Sequence, residues 1–455
     1  MIMADITVDF NQKIGEMKRL HGVNNGPVCY GSIVDVTDYY KNVEIPLVRL
    51  HDPNWPHPRE VDIHTIFPNF ENDPGDPANY DFSKTDEYIR SVIETGAKIV
   101  YRLGESIEHT EQKYYVHPPQ DYDKWAQICI GIIRHYNHGW ADGFHYNIEH
   151  WEIWNEPDNV PSMWSGTPEQ YYELYGTVST AIKRFDPSLK VGGFAATMTA
   201  IQHLDPGLGK EKNYTRGFLE YCRDHQLSLD FFSWHSYTND PEVIKECSFW
   251  VKEELARYGF GHAEIHLNEW NYLEDGFKKI WMRGGEYNRR STFEKAKGNV
   301  GASFTAAVLL MLQDCPVHYA NYYDGQPTAI FCGLFDYYGV PQKTYDAFEA
   351  FRQLCSYSNR VTTEISSSND EIYCCSTMND DQEAAILISN YEGESRPYRI
   401  TVKGLEEDKK KLCQELRIDK EHDFRSSDAF GNFELEKEFE IFIPQNSVVL
   451  LKIQS

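Results

Sequence analysis

EHWEIWNEPD, residues 149–158, is the stretch of the chain that most constrains its fold. Residues 150–155 form an apolar run of strand length, and Pro157 ends the strand because proline has no backbone N–H to donate. A second segment, EIHLNEWNY at 264–272, has the same plan, since a short apolar run again leads to a glutamate. The two segments therefore predict two buried strands that carry Glu156 and Glu269 at their carboxyl ends.

Similar runs recur between residues 15 and 352, and longer amphipathic segments separate them. The eight strand candidates are 18–24, 45–51, 98–103, 150–155, 190–195, 229–235, 263–269 and 317–323. Regular alternation of strands and helices is typical of α/β domains with a parallel sheet. Eight such units predict a (β/α)8 TIM barrel, in which the active site lies at the carboxyl ends of the strands.

The pattern changes after residue 352, where short alternating strands follow one another without helices. The candidates are 371–377, 384–390, 397–403, 436–443 and 447–453, and residues 5–10 alternate in the same way. We therefore predict a C-terminal antiparallel β-sandwich at 353–455, a catalytic barrel at 15–352, and an N-terminal strand within 1–14 that pairs with the sandwich.

Two carboxylates at the rim of a barrel suit the hydrolysis of a glycosidic bond. This reaction needs one carboxylic acid to protonate the leaving oxygen and one carboxylate on the opposite face of the sugar. Glu156 and Glu269 are predicted to project from strand ends at that rim. A catalytically silent sugar-binding barrel is an alternative, but silencing usually removes one of the two carboxylates. A metal-dependent sugar isomerase is a third, disfavoured because no credible metal-ligand spacing is present in the sequence.

The sequence resembles glycoside hydrolase family 39, a family of retaining (β/α)8 glycosidases. The resemblance rests on WEIWNEPD at 151–158, WHSY at 234–237, the NEW turn at 268–270 and the trailing sandwich, and it covers almost the whole chain. It implies that Glu156 is the acid/base and that Glu269 is the nucleophile.

The resemblance also implies roles for four neighbouring residues. Arg49, at the end of the second strand, corresponds to an arginine that hydrogen-bonds the nucleophile, and Tyr237 to a tyrosine that steadies the same carboxylate. His235 is expected to hydrogen-bond the sugar or a glutamate. Asn155 is expected to hold the 2-hydroxyl of the sugar, where a hydrogen bond strengthens in the transition state.

Further substrate contacts are expected at the rim. His51, Asp52 and Trp55 open a long loop after the second strand, and Trp55 offers a flat face to a sugar ring. Trp270 follows the second glutamate, and Tyr323 follows the eighth strand. This loop is longer than the corresponding loop of the β-xylosidases in the family. The resemblance therefore constrains the identity of the sugar less than it constrains the mechanism.

The predicted function is that of a retaining, exo-acting hydrolase of plant-type pentose glycans, with β-xylosidase as the first choice. The alternative within the family is an α-L-arabinosidase or a hydrolase that releases an arabinose-containing disaccharide. Hydrolysis by two carboxylates requires neither a metal nor an organic cofactor.

The net charge of the chain limits the kinds of molecule that it is expected to bind. It has 44 basic and 70 acidic residues, for a net charge of −26, which repels nucleic acid and suits a neutral oligosaccharide or glycoside. No apolar stretch reaches membrane-spanning length, and the N-terminus lacks the features of a signal peptide, so no membrane partner is expected. Ten scattered cysteines suggest reduced thiols and a cytoplasmic protein. The oligomeric state is left open, including a homo-oligomer.

Overall fold

The structure consists of a closed barrel, a large mainly antiparallel sheet and the helices around them. A computed structural model describes residues 5–29, 33–53, 59–202, 214–274, 276–328, 332–366, 371–405, 411–424 and 432–454. The strands in chain order are β1 (Ile6–Glu16), β2 (Gly22–Asn24), β3 (Val28–Cys29), β4 (Val34–Asp35), β5 (Leu47–Leu50), β6 (Lys98–Leu103), β7 (His150–Ile153), β8 (Lys190–Ala196), β9 (Phe231–Thr238), β10 (Glu264–Tyr272), β11 (Tyr319–Tyr322), β12 (Asn359–Ile365), β13 (Ile372–Met378), β14 (Ala384–Asn390), β15 (Arg396–Lys403), β16 (Leu412–Ile418), β17 (Asn432–Glu434), β18 (Glu438–Ile443) and β19 (Ser447–Gln454).

Local sequence stabilises the ends of some of the helices. They are α1 (Thr37–Asn42), α2 (Ile63–Ile66), α3 (Ser83–Ile93), α4 (Tyr122–His138), α5 (Pro168–Phe185), α6 (Met198–Gln202), α7 (Tyr214–Asp224), α8 (Pro241–Arg257), α9 (Gly276–Trp281), α10 (Glu286–Ala296), α11 (Asn299–Met311) and α12 (Lys343–Cys355). Thr167 and Gln170 form a capping box at the start of α5, and Gly139 ends α4 in the left-handed conformation. Within the described ranges, no helix combines the length and the apolar character that crossing a membrane requires.

The barrel contains eight parallel strands in the order β10-β11-β2-β5-β6-β7-β8-β9. Each of the eight predicted strands overlaps one of them, so the predicted (β/α)8 TIM barrel is confirmed. All four residues of β5 are buried, as are all four of β7. Such continuous burial is expected because helices cover the outside of a parallel barrel while side chains fill its interior.

The second sheet has nine strands in the order β17-β16-β19-β14-β13-β12-β1-β15-β18. It encloses its own core, to which Ile6, Ile386 and Ile400 belong, while Leu387 and Leu450 belong to the core shared with the barrel helices. The predicted C-terminal β-sandwich is therefore present. The five predicted strands all form, whereas β12, β16 and β17 were not predicted, partly because β12 is polar and only partly buried.

Strand β1 is inserted into the second sheet. It pairs antiparallel with β12, with Ile6 opposite Ile365, and parallel with β15, with Ile6 opposite Ile400. The Oγ of Ser389 in β14 also donates to the backbone oxygen of Ser303 in α11 at 2.7 Å. The sheet is thus joined to the barrel by packing and by hydrogen bonds as well as by the chain.

Candidate active site

Glu156 lies just beyond the carboxyl end of β7, in a strained turn. Trp154 has a φ of 70° and Glu156 a φ of 43°, in the left-handed region that non-glycine residues rarely adopt. The amide of Glu156 donates to the backbone oxygen of Ala195 in β8 at 3.2 Å. Strain of this kind persists only where the surroundings enforce it, and it concentrates at functional sites. Here it sets the direction in which the Glu156 carboxylate projects.

Glu269 lies on β10, and two strong donors hold its two oxygens separately. Arg49 Nη1 donates to Oε1 at 2.7 Å, and the Tyr237 hydroxyl donates to Oε2 at 2.6 Å. Burial, reinforced by the neighbouring Glu269 carboxylate, raises the pKa of Tyr237 well above its ordinary value, so its hydroxyl stays protonated and able to donate. Glu269 itself is 5% exposed, and its orientation is therefore determined by these partners.

Arg49 is a fully buried cation that joins several strands inside the barrel. Its guanidinium contacts Glu152 at 2.7 Å as well as Glu269, so two carboxylates neutralise one buried positive charge. Arg49 also donates to Oδ1 of Asn155 at 2.6 Å. Because the amide oxygen of Asn155 faces the guanidinium, its NH₂ group is the part available to a sugar hydroxyl. Oδ1 of Asn24 accepts a further bond from Arg49 at 3.2 Å.

Glu156 has a different environment from Glu269, without a direct cationic partner among the described residues. Its Oε1 is 2.7 Å from Nδ1 of His235, and its Oε2 accepts from Nδ2 of Asn159 at 2.9 Å. Burial raises the pKa of Glu156, and the hydrogen bond from Asn159 opposes that rise. Of the two glutamates, Glu156 is thus the one whose surroundings favour a protonated acid.

The two carboxylates lie close together. One oxygen of Glu156 and one of Glu269 are within 4.8 Å of each other, and a ring nitrogen of His235 is within the same distance of both. Carboxyl groups of retaining glycosidases are about 5–5.5 Å apart, whereas inverting enzymes need about 6.5–9.5 Å to admit a water molecule. The arrangement suits direct attack by Glu269 on a sugar held between the two groups.

His51 extends the site beside Glu269. Its Nδ1 accepts from Nε of Arg102 at 3.2 Å, and because a guanidinium can only donate, the ring hydrogen lies on Nε2. That Nε2 is 3.3 Å from Asp52 Oδ2 and 3.9 Å from Glu269 Oε1. Burial opposes ionisation of Asp52, but His51, together with Arg102 and Ser106, outweighs it and lowers the pKa of this carboxyl below its ordinary value. His51 therefore presents a donor, and Asp52 an acceptor, beside Glu269.

The remaining predicted contacts have different outcomes. The ring of Tyr323 is 6.4 Å from that of Tyr237 and is partly exposed, which places it beside Glu269. Trp55 lies outside the described residues. The prediction for Trp270 as a substrate contact is not supported: it is fully buried, with its ring 5.0 Å from Tyr322. Successive side chains of a strand point to opposite faces, so Trp270 packs outward into the core while Glu269 points inward.

Several residues of the site escaped the sequence analysis. Glu152 binds Arg49 inside the barrel, Asp62 binds Arg102 at 2.7 Å, and Asn159 binds Glu156. Glu152 interrupts an apolar strand, and a charged residue in such a run is the one signal that indicates a buried ion pair. Asp62 and Asn159 lie in loops, where nothing in the sequence distinguishes them from solvated side chains.

Some clusters in the described part of the chain have enough histidine and carboxylate atoms to contact a metal ion. One consists of His150, Glu264 and His266 near the amino ends of the barrel strands, and another contains Glu156, His235 and Glu269. In the first, Lys190 lies 2.6 Å from Glu264, and in the second Arg49 lies 2.7 Å from Glu269. Each cluster thus already contains a cation on its carboxylate, which disfavours a second positive charge.

Comparison with known proteins gives the family context of this site. The model of the family described as "Glycosyl hydrolases family 39" matches residues 37–280, more than half of the chain. The matched range contains Arg49, Glu156, His235, Tyr237 and Glu269. A β-xylosidase of Caldicellulosiruptor saccharolyticus is 24% identical in an alignment 386 positions long that covers 79% of this chain and 73% of that protein.

Solved structures share the whole architecture. A glucosidase from Croceicoccus marinus superposes with a TM-score of 0.81 at 24% identity, covering 100% of this chain and 99% of that one. A monomeric β-xylosidase from Caulobacter crescentus superposes with a TM-score of 0.71 at 16% identity, covering 99% of each chain. At these identities the likeness establishes the fold, a barrel followed by a β-sandwich.

Proposed function

The chain belongs to glycosyl hydrolase family 39 and is a glycoside hydrolase, and on that premise we propose that it is a retaining, exo-acting β-xylosidase. Glu156 is the acid/base and Glu269 the nucleophile. The observation that carries the proposal is the pair of carboxylates within 4.8 Å of each other, with buried Arg49 on one and no direct cationic partner described on the other.

In the first step, Glu269 attacks the anomeric carbon while Glu156 gives its proton to the glycosidic oxygen. The bond from the anomeric carbon to the leaving oxygen breaks, a bond to the Glu269 oxygen forms, and the aglycone leaves as an alcohol. Burial favours the protonated acid that this step requires of Glu156. Arg49 and Tyr237 keep Glu269 oriented for attack through separate oxygens.

In the second step, a water molecule enters where the aglycone has left. Glu156, now a carboxylate, removes a proton from the water while the water oxygen attacks the anomeric carbon. The bond between the anomeric carbon and Glu269 then breaks. Both glutamates regain their initial protonation states, and the configuration at the anomeric carbon is retained. The NH₂ group of Asn155 is positioned to bind the 2-hydroxyl of the sugar during both steps.

The choice of xylose as the sugar rests on similarity to the β-xylosidase of Caldicellulosiruptor saccharolyticus, which spans most of both chains. The strongly negative net charge is consistent with a neutral substrate. The glucosidase of similar fold makes β-glucosides a necessary comparison, and α-L-arabinosides test the alternative within the family.

A panel of aryl glycosides tests the sugar, and a mechanism-based inactivator tests the residues. We expect the highest kcat/KM on aryl β-xyloside among β-xyloside, β-glucoside, α-L-arabinofuranoside and α-L-arabinopyranoside. We also expect 2-fluoro-xyloside to inactivate the enzyme and to label Glu269. Labelling of Glu152 or Glu264 would refute the nucleophile assignment, whereas preference for an arabinoside would change only the sugar.

A further inference from the structure

His235 lies between the two carboxylates and contacts both with the same ring nitrogen. Its Nδ1 is 2.7 Å from Oε1 of Glu156 and 3.4 Å from Oε2 of Glu269. The position follows from strand pairing, because His235 of β9 is directly opposite Glu269 of β10. The side chain is 1% exposed, so solvent does not compete for these contacts.

The other ring nitrogen shows which tautomer is present. Nε2 of His235 is buried and has no hydrogen-bond partner among the described residues. A buried N–H without an acceptor is rarer and more costly than an acceptor without a donor. The hydrogen therefore lies on Nδ1, and burial keeps the ring neutral by lowering the pKa of His235 to about 3. His235 thus has a single donor for two carboxylates, and in this structure that donor is hydrogen-bonded to Glu156 and lies 3.4 Å from Glu269.

The reaction moves one negative charge between those carboxylates. Before attack, Glu269 is ionised and Glu156 is protonated. In the glycosyl-enzyme, Glu269 is a neutral ester and Glu156 is ionised, and hydrolysis restores the first arrangement. Of the other donors described above, each contacts only one of these two carboxylates: Arg49 contacts Glu269, and Asn159 contacts Glu156.

We propose that the Nδ1–H of His235 alternates between the two carboxylates and donates to whichever is ionised, to Glu269 before attack and to Glu156 in the glycosyl-enzyme. The inference rests on the double displacement proposed above. It makes His235 a positioning residue that gives up no proton. A hydrogen bond to a charged group is stronger than one to a neutral group, so the donor stabilises the ionised partner in each half of the cycle.

Asparagine and leucine have side chains of the same shape. Replacing His235 by each of them separates the effect of the hydrogen-bond donor from the effect of side-chain volume. In His235→Asn the amide nitrogen stands the same number of bonds from Cβ as Nδ1, so a donor is kept. In His235→Leu a methyl group replaces that donor. His235→Gln is a third variant, because its amide nitrogen corresponds to Nε2, and we expect it to behave like His235→Leu. If the leucine variant does not fold, the comparison of asparagine with glutamine carries the test.

The second step can be isolated by forming the 2-fluoro-xylosyl-enzyme and measuring its reactivation across pH. Without the donor, the pKa of Glu156 in this intermediate rises, so the base is ionised only at higher pH. At pH values where Glu156 of the intermediate is mostly protonated, we expect reactivation of His235→Leu to be about tenfold to a hundredfold slower than reactivation of the wild type. We expect its acidic limb to shift upward, and His235→Asn to recover most of both changes.

The groups that face Glu156 and His235 and carry charge or can titrate are unchanged in these variants; they are Arg49, His51, Asp52, Glu152, Asp158, Tyr237 and Glu269. Equal reactivation profiles for the asparagine and leucine variants would overturn the role of His235 while leaving the double displacement intact. If 2-fluoro-xyloside fails to label Glu269 in the wild type, and so does the 2-fluoro analogue of the best panel sugar, the proposed mechanism fails, and the alternation with it.

Discussion

Nη1 of Arg49 lies 2.7 Å from Oε1 of Glu269, with the guanidinium fully buried inside the barrel. The same guanidinium binds Glu152 through Nε and Nη2. Charges buried this deeply are tolerated only when they are paired and hydrogen-bonded. Glu269 therefore belongs to a buried network of charged side chains inside the barrel, and its position depends on that network.

Removal of the buried Arg49 guanidinium should destabilise the folded protein. In Arg49→Met, the carboxylates of Glu152 and Glu269 lose their shared counter-ion, and we expect the free energy of unfolding to fall by about 3–5 kcal/mol. Urea denaturation at pH 7 measures this loss. Arg399→Met is the matched control, because Arg399 binds the exposed Glu440, and its loss should be below about 1 kcal/mol. Similar losses in both variants would show that Glu152 and Glu269 do not depend on Arg49.

Removal of the acid should matter most when the leaving group is poor. We expect Glu156→Ala to keep measurable glycosylation on dinitrophenyl xyloside, because a phenolate leaves without protonation, and to lose activity on xylo-oligosaccharides. Added azide should restore turnover by replacing the water that Glu156 no longer activates. Steady-state kinetics on the two substrates, with and without azide, provide the comparison. Equal losses on both would argue against the acid/base role.

The pH dependence of the first step should respond to Asn159. Its hydrogen bond to Glu156 opposes the pKa rise caused by burial, so Asn159→Leu should raise the pKa of Glu156 further. Because Glu156 must be protonated in this step, the basic limb of kcat/KM should move to higher pH, by up to about one unit. Asn379→Leu is the control, since Asn379 makes a similar 2.9 Å hydrogen bond to Glu383, and both residues belong to the C-terminal β-sandwich. A downward shift would contradict the sign of this argument.

The contact with the terminal sugar should depend on His51. Its Nε2–H is directed toward Asp52 and Glu269 by the bond that Nδ1 accepts from Arg102. We expect His51→Ala to raise KM and to lower kcat/KM by about 1–3 kcal/mol of transition-state binding. His225→Ala, which changes an exposed histidine on the outside of the barrel, should leave the kinetics unchanged. Unchanged kinetics for a folded His51→Ala would place substrate recognition elsewhere on the rim.

The sequence predicted the positions of the strands better than it predicted the contacts between side chains. The strand before Glu156 and the strand that carries Glu269 were predictable because an apolar run is a local feature, as is the proline that follows Glu156. The outward packing of Trp270 was not, because it depends on which face of β10 meets helix α11. The pairing of Arg102 with Asp62 was equally inaccessible, since it joins a strand to a loop 40 residues away in the chain.

Three properties follow from the sequence alone: the alternation of strands and helices, the sandwich after them, and the positions of Glu156 and Glu269 near the carboxyl ends of β7 and β10. These properties depend on hydrophobic period and on proline, which act over a few residues. Folding in three dimensions is what pairs Arg49 with Glu269, buries Glu156 so that its protonated form is favoured, and places His235 against both glutamates. Barrel closure brings together residues that are between 34 and 220 positions apart in the chain, and Coulomb and desolvation energies depend on distance in space.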